Sequence, residues 1–400
     1  MTNQKIEKSF QDLQLFCEKE EYKGWDPYDG MNSKLFQATP FKKIKLARMA
    51  WIQLFKRNPI NLRPYVGITK GYNPKGIGLF LTGYCNLYQI AQSGNNRFGT
   101  PENILEKINF LADLVIRLKS DGYSGACWGY NFDWQSKAFF LPEKTPTVVA
   151  TSFVAEALIY AYECTSNQRY LETAVSSADF ILKDLNRISK RDNLFMFSYS
   201  PLDNRAVYNA TLLGSRLLSK IFHYSQNDEH QKAAYISARA VCQTQKEDGA
   251  FLHSDQVGNK WRDNFHTGFK LESLAAYQKN CKDYSFNDNI ERGFNYWVDN
   301  FFLSDGTAKY YDNSIYPIDL HCAAQAIPTL YKTDKFKDFP NLTEKIILWA
   351  INNMQNKKDG SFYFQQSRNK TMNKITYSRW PNAWMFYGIS FYLFYQTKNG

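Results

Sequence analysis

The chain has 400 residues, 44% hydrophobic and 22% charged, a globular balance that excludes a disordered chain. Its formal net charge is +11, yet Lys and Arg are scattered with no dense basic stripe, which excludes a dedicated nucleic-acid binder. The excess charge reads either as solubility or as attraction to an anionic glycan, a phosphate-bearing carrier or the inner membrane surface.

In chain order, an amphipathic helix over 3–20 leads into the loop Gly24-Trp25-Asp26-Pro27-Tyr28-Asp29-Gly30. Helical periodicity then predicts twelve helices, over 41–57, 76–93, 102–120, 147–164, 168–186, 205–225, 229–246, 265–280, 286–302, 317–332, 342–356 and 381–396. Strand signals are confined to Phe195–Tyr199 and Ser361–Phe364, as rim hairpins. An Asp-Gly dipeptide punctuates the series at Asp121-Gly122, Asp248-Gly249, Asp305-Gly306 and Asp359-Gly360, with a degenerate copy at Asp192-Asn193. The last three copies stand 57 and 54 residues apart, a period that holds two helices. Such a period predicts stacked helical hairpins. No linker divides the chain, so the expectation is a single all-α domain over 1–400. It is an (α/α)6 toroid with an N-terminal helix and loop over 1–40.

Two kinds of helix are expected. Those with a broad charged face, such as the one starting near Asn341, suit an outer ring. Those apolar nearly all round, such as the ones starting near Thr147 and His321, suit an inner ring. Inner helices follow the repeat loops, so their N-termini crowd one mouth, where anionic groups are favoured.

The inner-helix starts carry Thr147 and Thr151; Tyr208 and Asn209; Asp263, Asn264 and His266; Asp319 and His321; and Arg379, Trp380, Asn382 and Trp384. The loops with Asp26, Tyr28 and Asp29, and with Trp128, Tyr130, Asp133 and Trp134, join them. Each Asp reads either as a helix cap or as a catalytic acid. His266 and His321 exceed what capping requires and suit proton transfer. Arg379 reads as a clamp for a carboxylate or phosphate, or as the partner of a neighbouring Asp. Asp133 lies between Phe132 and Trp134, apolar neighbours that would raise its pKa as a general acid needs. His223 and His230 read as surface residues, and His253 has no assigned place.

The seven dispersed cysteines form no C-x-x-C pair and read as reduced thiols of a cytoplasmic protein. The start of the chain lacks an apolar stretch suited to a signal peptide. No metal and no cofactor are expected. His321-Cys322 with Cys85 does not have the spacing of lanthionine-cyclase-like toroids. Gln245 to Phe251 resembles the structural glutamine-and-aromatic repeat of triterpene cyclases and prenyltransferases, without an Asp-rich motif.

Five runs carry a broader likeness: Gly24–Gly30, Trp128–Gln135, Asp263–Gly268, Tyr316–His321 and Arg379–Trp384. They resemble bacterial six-hairpin, glycosidase-like proteins associated with capsule and lipopolysaccharide biosynthesis. The resemblance covers nearly the whole chain and implies a toroid with a role in surface-polysaccharide metabolism. Aromatic residues make up 16% of the chain, and many lie in polar loops where a sugar platform is a natural use.

The leading expectation is a glycoside hydrolase acting on an acidic or carrier-linked glycan. Asp133, Asp263 or Asp319 supply acid and base, and His266 and His321 assist. Trp128, Tyr130, Trp134, Trp380 and Trp384 form the platform, joined by Asp26, Tyr28, Asp29, Asn209, Arg379 and Asn382 in binding. The alternatives are an epimerase or lyase with Tyr or His as base, and a glycan-binding protein without turnover.

Overall fold

A computed structural model describes residues 2–136, 139–254, 256 and 260–399. Its α-helices are α1 (Thr2–Lys19), α2 (Lys34–Gln37), α3 (Lys45–Arg57), α4 (Pro74–Gln92), α5 (Pro101–Arg117), α6 (Val148–Thr165), α7 (Gln168–Asp179), α8 (Tyr208–Ser225), α9 (Asp228–Cys242), α10 (Asn264–Cys281), α11 (Asn287–Phe301), α12 (Leu320–Lys332), α13 (Pro340–Met354) and α14 (Ala383–Asn399). The even-numbered helices from α4 to α14 pack each on the next, and α14 returns to α4. They form a closed inner ring, and α1, α5, α7, α9, α11 and α13 form the outer one. The fold is an (α/α)6 toroid.

One assignment differs from expectation. The outer partner that completes the ring is α1, not the helix near 41–57. α1 buries Ile6, Phe10, Leu13 and Cys17 along one stripe, and Phe10 packs against Phe386 of α14. α3 sits instead in the long α1–α4 connection, which folds over the mouth. Trp51 of α3 stacks on Phe36 and donates to Gly30 O. Both helices are amphipathic; only the partner across the ring tells them apart.

The Asp-Gly repeat has a structural cause. Asp248, Asp305 and Asp359 each accept, at Oδ1, the backbone N–H two residues on. The glycine between takes a positive φ, 88°, 92° and 81° respectively. Each glycine also abuts the next outer helix, where a Cβ would clash: Gly249 on Arg292, Gly306 on Lys345, Gly360 on Asp12. Glutamines stitch the same joints. The Gln245 amide donates to Gly249 O and Asn289 O, and the Gln355 amide to Gly360 O and Ser9 O.

Sheet structure is confined to the rim: β1 (Trp134–Gln135) with β2 (Phe140–Leu141), β3 (Arg187–Ser189) with β4 (Phe195–Phe197), and β5 (Ile318–Asp319) with β6 (Gln365–Gln366) and β7 (Met372–Asn373). The hairpin at 195 is as expected. Near 361 the paired strand begins later, at Gln365, and Phe362 makes only an isolated bridge to Gln355.

The barrel interior carries an ion cluster. Arg216 joins Glu156 at 2.7 Å and Glu272 at 3.4 Å, with Lys332 beside both. All seven cysteines are free. Among the described residues α6 is the one helix long and apolar enough to cross a bilayer; as an inner helix it is 72% buried.

Candidate active site

The inner-helix starts meet at one mouth, and two aspartates there hold equivalent posts. Asp263 caps α10 and Asp319 caps α12. The Oδ1 of Asp263 accepts the His266 N–H at 2.9 Å, and its Oδ2 takes His266 Nδ1 at 2.8 Å and Trp261 Nε1 at 3.2 Å. Burial pushes this carboxyl up, but His266, His253 and Lys270 outweigh it, and the pKa settles at about 2. Asp319 is just as buried, and burial wins: its carboxyl is pushed up to about 6. Trp380 Nε1 donates to its Oδ1 at 2.9 Å, as does the His321 N–H at 3.0 Å, and Gln365 Nε2 donates to Oδ2 at 3.2 Å. Lys56 adds a favourable charge from α3.

The two histidines stand on either side of Phe265, whose ring centre is 4.2 Å from His266 and 4.3 Å from His321. His266 spends Nδ1 on Asp263 and is half-buried. His321 is 1% exposed, boxed by Phe265, Trp380 and Trp384, and neither ring nitrogen has a hydrogen-bond partner among the described residues. Burial above all, then the neighbouring Lys75, His266 and Arg379, push its pKa well below the ordinary imidazole range. His253, unplaced from sequence, stacks on Trp261 and lies 4.9 Å from His266. His253, Asp263 and His266 offer three ligand atoms within 4.8 Å of one another, a set that can hold a metal ion. The buried Lys270 ammonium faces the same carboxylate.

Tyr28 packs edge-on against Trp380 and Trp134. Lys56 donates to its hydroxyl at 2.8 Å. Tyr310 is held above its ordinary range chiefly by burial, then by Asp263, Tyr28 and Asp319, so these groups share one electrostatic neighbourhood. Lys56, Lys75, Tyr310 and Tyr311 were not among the residues expected from sequence. The signal available for Lys75 was Asn73-Pro74, a cap followed by a first-turn proline, which marks an inner-helix start.

Other expected residues serve the framework. Arg379 is buried and grips Asp26 with both ends of its fork, Nε to Oδ2 at 2.5 Å and Nη2 to Oδ1 at 2.8 Å. The reading as partner of an Asp therefore describes it, across 353 residues of chain. Asp29 pairs with buried Arg63 at 2.7 Å. Trp128 is wholly buried, its Nε1 donating to Val115 O at 2.7 Å, so it presents no face to a ligand. Asn382 is tied to Phe362 N and Tyr377 O, and Thr147 caps α6. Asp133 is a loop acceptor for the Glu143 N–H. Tyr130 bonds Tyr199, and Asn209 is buried with Oδ1 unpartnered among the described residues. His230, expected at the surface, is buried and pairs with Ser225.

No protein-family model and no curated protein matches the chain. Solved structures do. An unsaturated glucuronyl hydrolase specific for heparin superposes with a TM-score of 0.65 at 13% identity, covering 100% of this chain and 99% of that one. Cellobiose 2-epimerase from Bacillus thermoamylovorans gives 0.61 at 13% identity, over 82% and 88%. A GH76 α-mannanase of Bacteroides thetaiotaomicron gives 0.58 at 16% identity, over 83% and 89%. At these identities the likeness is one of fold.

Proposed function

We propose that the protein is a carbohydrate-active enzyme working by proton transfer at this mouth, and that its reaction is hydrolysis of a glycosidic bond. The observation that carries the reading is the pair of equivalent caps with opposite electrostatics, one carboxyl near 6 and one near 2. A departing glycosidic oxygen needs an acid that still holds its proton near neutral pH. Asp319 is that acid, and Oδ2, which accepts a single hydrogen bond among the described residues, is the atom that holds the proton. Asp263 is spent on orienting His266. Nε2 of His266 is the atom that takes a proton from the attacking water. Tyr28, Trp134 and Trp380 supply aromatic faces for the sugar. The three matched enzymes act on sugars, which supports the class by analogy of fold.

The glycan is acidic or carrier-linked in this reading, because the chain carries +11 and Lys56 stands beside Asp319. A cytoplasmic place in surface-polysaccharide metabolism, at the inner membrane surface for a carrier-linked substrate, is supported by the resemblance of the five runs and by the free thiols. The test is turnover on a panel of acidic oligosaccharides. New reducing ends, abolished by Asp319→Asn, support hydrolysis; an unsaturated ultraviolet-absorbing product or binding without turnover rejects it. The two imidazoles flanking Phe265 favour one second reading, epimerisation, in which one takes a proton from carbon and the other returns it. Deuterium from solvent entering a C–H bond would identify that reaction.

A further inference from the structure

Lys75 is the second residue of α4, and its side chain is 3% exposed. Its Nζ lies 4.4 Å from the ring centre of Phe153 on α6, 5.2 Å from Phe269 on α10 and 5.1 Å from Trp384 on α14. Rings from three other inner helices surround this one nitrogen, which places it near the axis of the toroid. Among the described residues nothing hydrogen-bonds to it and no carboxylate pairs with it.

Three more side chains share its position and its condition. Asn209, His321 and Trp384 are the second residues of α8, α12 and α14. All three are buried, and Asn209 Oδ1, both His321 ring nitrogens and Trp384 Nε1 have no hydrogen-bond partner among the described residues. Each such orphan opposes burial unless a ligand satisfies it. Four at one level of one ring make a floor of donors and an acceptor between aromatic faces, the chemistry of a sugar hydroxyl cluster.

We propose that these four residues form the floor of the sugar subsite, and that Lys75 recognises a carboxylate on that sugar, as in a uronic acid. This rests on the reading of the mouth as a sugar site. The neighbouring cations are already matched: Arg379 by Asp26, and Arg216 by Glu156 and Glu272. Among the described residues Lys75 is the cation facing the axis with no anion of its own. A carboxylate here forms a charge-assisted hydrogen bond out of water, stronger than one at the surface. The charged or titratable groups around Lys75 are Arg379 beside α14, Arg216 on α8, His321 on α12 and Asp26 in the cap; α6 and α10 present Phe153 and Phe269. Burial and the two guanidiniums hold the amine well below its ordinary pKa. An arriving carboxylate reverses that balance, so binding takes up a proton.

The experiment is calorimetric titration of the full chain with glucuronic acid, glucose and glucose 6-phosphate, in two buffers of different ionisation enthalpy. Glucuronate should bind about tenfold more tightly than glucose or better. Its heat should differ between the two buffers in the sense of proton uptake. Lys75→Met should bring glucuronate down to the affinity of glucose and leave glucose unchanged, with circular dichroism confirming the fold. Asp319→Asn is read by turnover alone, while the binding titrations use the parent and Lys75→Met, so that failure of the acid and failure of the subsite are read separately. Equal binding of glucuronate and glucose, no binding of either, a preference that survives Lys75→Met, or no proton uptake by the parent would each overturn the proposal. Tighter, Lys75-dependent binding of glucose 6-phosphate would replace the carboxylate by a phosphate. Proton uptake is measured on the parent chain, so the proposal stays exposed even if the variant does not fold.

Discussion

Asp263 and Asp319 stand at the starts of adjacent inner helices, each accepts a first-turn N–H, and each is 2% exposed. Geometry alone would make them interchangeable. What separates them is the charge of what they touch. Asp263 meets an imidazole at 2.8 Å and has His253 and Lys270 close by, whereas Asp319 meets neutral N–H donors, with one ammonium further off. Neutral donors offset only part of the desolvation of a buried carboxylate; a cation in contact can offset all of it. Repetition of a helical hairpin thus delivers two identical carboxyls to one mouth, and the neighbours assign one to be an acid and the other an anchor.

Replacing each partner in turn tests that contrast. Asp319→Asn keeps the shape and the cap but cannot donate a carboxyl proton, so turnover should fall by roughly 100-fold or more. In the parent enzyme the alkaline limb of the rate should fall as pH rises through about 6, because Asp319 works only while protonated, whereas the acid limb belongs to the base, His266. A profile flat from pH 5 to 8 would remove Asp319 from the role. The same substitution should not lower the melting temperature. A carboxyl whose folded pKa lies above its unfolded value opposes folding once pH passes the unfolded value, here by on the order of 3 kcal/mol at neutral pH.

Asp26 supplies the comparison for a purely structural acid. Arg379→Ala would leave its buried carboxylate unpaired and should cost about 3–5 kcal/mol in denaturant unfolding. Unchanged stability would mean that the Asp26–Arg379 pair does not hold the cap.

Asp263→Asn should cost less, about 2 kcal/mol at pH 7, the worth of a folded pKa held near 2. The sign is opposite to that of Asp319. The contribution is present above the unfolded pKa and is lost as pH falls toward 2, so parent and variant should converge in acid melts. Equal costs at pH 7 and pH 3 would mean that Asp263 acts only as a cap. The smallest effect concerns the surface. Affinity for an acidic oligosaccharide should weaken a few-fold as salt rises through physiological strength, since exposed charges are screened while the buried Lys75 is not. A loss of all affinity in salt would shift recognition from the floor to the exterior.

Much of this was legible before any coordinates. The Asp-Gly spacing reports a turn that needs a positive φ and a side-chain acceptor, so the hairpin count follows from local chemistry. The inner-helix starts follow from Thr, Asn and Asp caps, and with them His266, His321, Asp263 and Asp319. What stayed hidden depends on partners distant in sequence. Arg379 reads equally as clamp or partner until Asp26 is seen beside it. Trp128 in a polar loop reads as a platform, and only the Val115 carbonyl shows that it is core. Lys75 was missed, because nothing near it in sequence reveals the three rings that close around its nitrogen. α1 and α3 have similar stripes, and the ring's true first member is settled by Ser9 meeting Gln355.

That last contact has a kinetic consequence. Ser9 and Gln355 are separated by 346 residues, and Gly360 rests on Asp12 across the same joint. Each other joint of the outer wall forms between hairpins close in sequence and can assemble locally, as in an open solenoid. The last one forms only when the two extremities of the helical arc find each other, so loop-closure entropy falls on a single step. Refolding should therefore show most of its helical signal before the ring seals. Until then the arc exposes an unpaired apolar edge on α4 and another on α14, which a second arc can occupy. Dilution should favour the closed monomer, and crowding during refolding should favour exchange of hairpins between chains.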